Sequence, residues 1–396
     1  MTTSLWTSNS PQCFWQCQPE PPQEIWDQAI ERSLWLLGLP DDIRCLEQLL
    51  EYSLGEGQFG SEHYSIGRMG QLYYLVKPFL PPPLKNKIRK MYNQVKNKTF
   101  PLGWPVELRY AKFQWEILRQ VMVLSGNKEI IFRYFWPEGK RYSFVLTHDI
   151  ETGLGQSLVP VLADMEEELG FRSMFNFVPE LYPLDWGLIR DLQKRGFEVG
   201  VHGFHHDSKL FDTYKHFELY VGRINQYLRD FQAQGFRSPL TMRNPEWMQE
   251  LEMEYDLSFF DTDPFEPMPG GVMSLWPFVI GRFMELPYTL PQDSTLFNIL
   301  GETSPKIWME KLQVIKEYHG MALLIVHPDY SGHGNNREIY RDFLQTMKED
   351  KEHWHALPKD VAPWWRGRMN GMADGNGMSF PLARARLNGE ALEICR

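Results

Sequence analysis

A chain of 396 residues, 43% hydrophobic and 23% charged, has the composition of a folded globular protein able to bury a sizeable core. Its net charge of -10 excludes a general nucleic-acid binder, because phosphate contacts need clustered lysine and arginine. The four cysteines (Cys13, Cys17, Cys45 and Cys395) include no second pair at zinc-ribbon spacing and read as unbridged thiols of a reducing compartment.

The N-terminus lacks the basic and apolar segments of a secretory signal, and no run of about 18 apolar residues occurs, so a cytoplasmic location is expected. Residues 1–135 read as a mainly helical region of unassigned function. Apolar residues recur at three- and four-residue spacing over 25–37 and 43–52. The Pro81-Pro82-Pro83 run breaks the chain, and a helix is expected from Leu84. In it Leu84, Ile88, Met91 and Val95 share one face, while Lys85, Lys87, Arg89, Lys90, Lys96 and Lys98 hold the rest. A basic amphipathic helix over residues 84–98 fits a solvated face packed on the body of the protein. It also fits peripheral contact with an anionic membrane surface, and the apolar run over residues 72–80 keeps that reading open.

Residues 135–140 look like a turn between two regions, and from Arg141 the pattern changes. Strands are expected over 141–147, 174–178, 198–201, 258–260 and 322–326. Helices are expected over 158–169, 186–195, 214–234, 305–318 and 337–348, with Gly170, Gly196 and Gly235 as stops. Strand and helix alternating at this interval means parallel βα units, and so many units predict a closed or distorted (β/α) barrel over residues 136–366. Residues 367–396 read as an extended tail or small flap.

In such a barrel the reacting groups stand just past the C-terminal ends of the strands. There the sequence places Thr147-His148-Asp149-Ile150-Glu151, His202-Gly203-Phe204-His205-His206, Phe236-Arg237-Ser238-Pro239 and His327-Pro328-Asp329. A catalytic zinc takes about three His or carboxylate ligands and keeps one position open. His202 and His206 are spaced to clasp one ion, and Asp149 or Glu151 would complete the set. The remaining carboxylate would serve as general base, and His327 would protonate a leaving amine.

These four segments, in this order over roughly 200 residues, resemble the polysaccharide deacetylases (carbohydrate esterase family 4). Leu146-Thr147-His148-Asp149 is similar to that family's first motif, Thr-Phe-Asp-Asp. His202-Gly203-Phe204-His205-His206 resembles its His-Ser/Thr-x-x-His metal motif. Phe236-Arg237-Ser238-Pro239 resembles its Arg-x-Pro motif, and Leu324-Ile325-Val326-His327-Pro328 the strand that carries the catalytic His.

The resemblance implies a distorted (β/α) barrel and one divalent metal ion, Zn first with Co, Ni or Mn as substitutes. The expected metal ligands are His202, His206, Asp149 and Glu151. Asp149, His327 and Arg237 are the expected catalytic residues, with Arg237 orienting the base. The implied reaction removes an N-acetyl or other small acyl group from an amino sugar or glycan precursor.

The second Asp of the family pair is Ile150 here. In an extended strand residues 149 and 151 face the same side, so Glu151 restores the missing carboxylate one position later. Which of the two is base and which is ligand stays open. His148, in place of Phe, is expected to point into the core. Asp261 and Asp263, in an acidic loop past a strand, are candidates to tune His327 or to contact substrate. Trp247, Trp276 and Tyr288 are candidate sugar platforms, with core burial the alternative. A small-molecule amidohydrolase on the same fold, or a non-catalytic glycan- or partner-binding relative, remain the rival readings.

Overall fold

The computed structural model describes residues 4–40, 43, 45–60, 63–64, 99–371 and 379–395. The expected basic helix over 84–98 and the apolar run before it lie outside the described residues. Among those described, no helix is long and apolar enough to cross a membrane.

Helices Gln23–Ser33, Leu46–Ser53 and Arg109–Leu124 dominate the described N-terminal region, together with two short strands, β1 (Cys17–Gln18) and β2 (Glu129–Arg133). The Arg109–Leu124 helix buries Ala111, Phe113, Ile117, Leu118, Val121 and Met122. That spacing at three and four residues is the apolar stripe of a packed helix.

The larger sheet begins with β3 (Tyr142–Ile150), followed by β4 (Met174–Phe177), β5 (Glu198–His202), β6 (Gly235–Arg237) and β7 (Tyr255–Asp256). Next come β8 (Phe278–Ile280), β9 (Phe283–Glu285), β10 (Met321–Val326) and β11 (His353–His355). The strand order is β10-β3-β4-β5-β6-β7-β9-β8, parallel except for β8 on β9, with β11 also parallel to β3. Every residue of β3 and β10 is buried, as a parallel strand covered on both faces requires. Beyond β9 the extended chain supplies the closure. Asp261 N–H donates to Tyr288 O (3.1 Å), and the N–H groups of Thr289 and Leu290 donate to Leu323 O of β10 at 3.1 and 3.0 Å. The sheet therefore curls until its edges meet, through irregular bonds, in the expected distorted (β/α) barrel.

Helices Gly153–Leu169, Trp186–Lys194, Tyr214–Phe231, Lys306–Glu317 and Gly334–Glu349 cover the outside. The first three open on side-chain caps from Thr152, Asp185 and Thr213, each accepting an otherwise unpaired N–H of the first turn. The third helix stops earlier than expected, at Phe231, with Gln232 in the left-handed conformation (φ 54°). Gly235 is not a helix cap but the first residue of β6. A Cβ there would stand 2.2 Å from the Tyr255 ring, so close packing inside the barrel is what requires glycine. The strand expected over 258–260 pairs regularly earlier, at Tyr255–Asp256, and Phe260 makes a single bridge to Tyr288.

The C-terminal residues, read as an extended tail or small flap, hold regular structure. A helix at Pro358–Met369 packs on the barrel, and β12 (Leu382–Asn388) and β13 (Ala391–Cys395) form a hairpin. β12 pairs with β2 of the N-terminal region, giving an antiparallel sheet in the order β1-β2-β12-β13. One hydrophobic cluster runs through both regions. A buried clamp also joins them: Arg243 Nε and Nη2 donate to Glu56 Oε2 and Oε1 at 2.8 and 2.5 Å, and both side chains are fully buried.

Candidate active site

The strand ends bring Asp149, Glu151, His202, His206, Arg237 and His327 together at one mouth of the barrel. Asp149 and Glu151 alternate with Ile150, whose side chain is fully buried in the core. One ligand atom each from Glu151, His202 and His206 lie within 4.8 Å of one another. Glu151 Oε1 stands 2.8 Å from His206 Nε2 and 3.5 Å from His327 Nε2.

His202 Nδ1 is 3.0 Å from Arg237 O, and a carbonyl only accepts, so Nδ1 carries the proton and Nε2 presents a lone pair. That Nε2 is buried without a hydrogen-bond partner, as is Nε2 of His206, whose close approach to Glu151 is not aligned as a hydrogen bond. Burial lowers the His202 pKa to about 4, keeping the ring neutral. Two buried imidazole nitrogens without aligned hydrogen bonds beside a carboxylate are costly unless something fills the space between them. The His, His, Glu donor set with a position to spare is that of a catalytic zinc, so these residues fit a divalent ion.

Asp149 belongs to a different arrangement. Its Oδ1 accepts from Arg237 Nη1 (2.9 Å) and Asn176 Nδ2 (3.1 Å), and its Oδ2 lies 3.9 Å from His202 Nε2. Burial would raise this carboxyl, but Arg237, then His202 and His327, outweigh it and hold it at about 2. Arg237 is itself fixed: Nε donates to Leu257 O and Nη1 to Thr147 Oγ1, both at 2.9 Å. On the other side His327 Nδ1 lies 2.7 Å from Asp293 Oδ1. Asp293 Oδ2 accepts from His327 N (2.9 Å) and Ser331 Oγ (2.6 Å). Burial disfavours a charged His327, yet Asp293, and after it Glu151, raise its pKa well above the ordinary value.

The structure separates the other sequence candidates from this cluster. Asp261 is buried, with both carboxylate oxygens 2.8 Å from Lys311 Nζ. Asp263 is buried and accepts from Tyr288 Oη (2.9 Å) and Phe265 N (2.7 Å). Neither holds His327; Asp293 does. Trp247, half-buried, packs against Phe211, Tyr214 and Phe217 beside the Tyr214–Phe231 helix. Trp276 and Tyr288 are each 1% exposed and are core residues. His205 meets Phe204 and Tyr220 edge-on and stays out of the ligand trio. His148 points outward from the barrel lumen: Nε2 meets Glu166 Oε1 (2.8 Å) and Nδ1 meets Val326 O (3.1 Å), tying β3 to β10 just below the site. Gly203 stands where the resembling motif has Ser or Thr because φ is +65° and a Cβ would lie 2.3 Å from Pro239.

Sequence reasoning missed Asp293 and Asn176. Asp293 follows Pro291-Gln292 and accepts from Ser294 N at 2.7 Å, so its local signature is only that of a cap. Asn176 sits opposite Asp149 in the β3–β4 register, a pairing that no local pattern encodes. Glu266, also missed, is buried behind the mouth, with Oε2 2.8 Å from Thr241 Oγ1 and Oε1 2.7 Å from Gln292 Nε2. Burial, then the Asp263 charge, raises its pKa. A cleft of about 520 Å³ lined by Trp115, Arg141, His319 and Cys395 lies at the opposite end of β3 and β10, away from these groups.

No protein-family model matches the sequence, and no curated protein matches it. Among solved structures, the chain is similar to a Mycobacterium smegmatis protein assigned as a polysaccharide deacetylase. The identity is 18% and the TM-score 0.48, over 60% of this chain and 94% of that one. It is similar to the PuuE allantoinase at 16% identity and TM-score 0.44, over 59% and 92% of the two chains. It is also similar to the family 4 carbohydrate esterase of Streptomyces lividans, at 13% identity and TM-score 0.37, over 56% and 97%. These are likenesses of fold between distant sequences.

Proposed function

We propose that this protein is a metal-dependent hydrolase that removes an N-acetyl or other small acyl group from an amino sugar or glycan precursor. The observation that carries the reading is the convergence of three units: the Glu151–His202–His206 trio, the Arg237–Asp149 pair and the Asp293–His327 pair. A decayed binding module would need none of the three, and a first motif that had lost its chemistry would not aim Glu151 at His206.

Glu151, His202 and His206 would hold the divalent ion, with zinc favoured by the donor set. When bound, that ion would supply Lewis acidity to the acyl carbonyl and acidify the attacking water. Asp149, ionised at neutral pH and oriented by Arg237, takes the proton from that water. His327, charged and oriented by Asp293, donates a proton to the departing nitrogen or oxygen. On this reading Asp149 is the base and Glu151 the ligand. The cytoplasmic expectation favours a precursor over finished extracellular polymer.

The test is elemental analysis of the purified protein beside His202→Ala, followed by an acetate-release screen on N-acetylated sugars. The reading expects about one divalent ion per chain, lost in the variant, and acetate release that falls with it. Absence of bound metal in both proteins after supplementation would overturn it.

A further inference from the structure

Glu151 stands outside the sheet that positions most of the other groups at the mouth. β3 pairs with β4 as far as Ile150 and with β10 as far as His148, so the pairing stops one residue short of Glu151. Asp149, His202 and Arg237, by contrast, lie within strands, where the register fixes their backbones. A glutamate also has one more rotatable bond than an aspartate, so ordering its carboxylate costs more conformational entropy. Yet Glu151 Oε1 is aimed at the imidazoles, 2.8 Å from His206 Nε2. Something other than the sheet holds its backbone.

Two side chains do so, one on each side of it. Tyr182, from the loop after β4, donates its Oη to Ile150 O at 2.5 Å, and the same oxygen accepts from Val178 N at 3.3 Å. The last backbone pair of β3 and β4 is Ile150 with Phe177, so the phenol hydroxyl bridges the two chains where they part. On the other side, Thr152 Oγ1 donates to Asp329 Oδ1 at 2.6 Å while accepting from Gly155 N at 2.9 Å. One hydroxyl therefore caps the Gly153–Leu169 helix and ties the residue after Glu151 to the segment after His327. Asp329 packs so closely there that a Cβ at Gly155 would lie 2.4 Å from its Oδ2. The tie spans the two segments whose side chains meet at the mouth, where Glu151 Oε1 is 3.5 Å from His327 Nε2. The Tyr182 loop reaches the remaining ligand segment as well: Glu180 N donates to Phe204 O at 3.3 Å, between His202 and His206.

We propose that Tyr182 and Asp329 are positioning residues that hold the chain on either side of Glu151, so that a glutamate one residue past the strand end completes the divalent-ion site. Both act through Glu151, and neither is among the ligand trio. The inference rests on the metal site of the function proposed above and adds what fixes its displaced carboxylate. Removing a hydrogen bond that orients a metal ligand weakens metal binding by about 10- to 100-fold.

The experiment titrates the metal-free protein with Zn²⁺ and with Cu²⁺ against a competing chelator, with His202→Ala as the background. Tyr182→Phe keeps the ring and removes only the hydroxyl; Asp329→Ala removes the anchor and leaves Thr152 to cap its helix. Each is made in wild type and in Glu151→Gln, and melting curves of the metal-free proteins show which are folded. In wild type, either change should raise the Zn²⁺ Kd by about tenfold. In Glu151→Gln, followed with Cu²⁺ because its higher affinity keeps the two imidazoles measurable, the same changes should leave Kd unmoved. A purely structural role would weaken binding by the same factor with and without the Glu151 carboxylate. That result, or an unmoved Zn²⁺ Kd in either folded single variant, would overturn the positioning role and leave the metal site standing. Wild type that binds neither ion beyond the His202→Ala background would remove the metal site itself, and the proposed function with it.

Discussion

Replacing Asp293 by Asn is the substitution that asks most directly whether His327 is a proton donor. Asn keeps the shape of the side chain but removes the charge 2.7 Å from His327 Nδ1. It also turns an N–H donor toward positions where Asp293 Oδ2 accepts from His327 N and Ser331 Oγ. A hydrogen bond to a charged group contributes about 1.5–3 kcal/mol, and a positioned general acid about 10²–10⁴ in rate. A loss of roughly a hundredfold in kcat on an amide, about 2.7 kcal/mol, is therefore expected.

The discriminating assay runs the same variant on an activated aryl acetate, whose leaving group departs without protonation. That substrate should lose little. The pH profile adds a signed check. On the proposed mechanism catalysis needs protonated His327 and is lost as pH rises through its pKa, which Asp293 and Glu151 hold above the ordinary value against burial. Removing the Asp293 charge lowers that pKa, so the alkaline limb moves to lower pH. Equal losses on amide and aryl ester, with an unmoved limb, would refute the assignment of His327 as acid.

Arg243→Met strips the partner from Glu56 in a fully buried pair and should cost about 3–5 kcal/mol, lowering Tm by roughly 10 °C. Adding Glu56→Leu should restore much of that loss, and a single variant that melts like wild type would show that the clamp holds nothing. Against burial, Arg243 and then His63 depress the Glu56 carboxyl to about 2. The stability it contributes is thus present above about pH 4.5 and lost as pH falls toward 2, measurable as a falling urea midpoint. Asp261→Asn should lower Tm and leave KM unchanged, because Asp261 is matched to Lys311 rather than to substrate; a selective rise in KM would return it to the substrate list. Arg237→Lys should reduce kcat by at least tenfold at constant metal content, since one ammonium cannot serve Leu257 O, Thr147 Oγ1 and Asp149 Oδ1 together.

The sequence by itself determined the chemistry that gathers at the strand ends. Parallel βα units deliver whatever follows each strand to one rim, so Asp149, Glu151, His202, His206, Arg237 and His327 could be assigned to one site from their order alone. The period of two along β3 likewise placed Asp149 and Glu151 on one face despite the intervening Ile150.

What stayed hidden depended on distance along the chain. Asp293 is 34 residues from His327, and Lys311 is 50 from Asp261. Nothing in the local pattern says which acid meets the imidazole and which the ammonium; barrel closure between residues 289–290 and β10 decides it. The different partners of Asp149 and Glu151 were equally tertiary. Asp149 faces Arg237 and Asn176 because of the β3–β4–β5–β6 register, while Glu151, one residue past the strand, is free to turn toward His206. The C-terminal hairpin joined β2 for the same reason: an antiparallel edge is completed by whichever strand the fold brings to it, and 249 residues separate Arg133 from its partner Leu382. Local sequence fixes period, caps and the supply of side chains; only the closed chain fixes which of them meet.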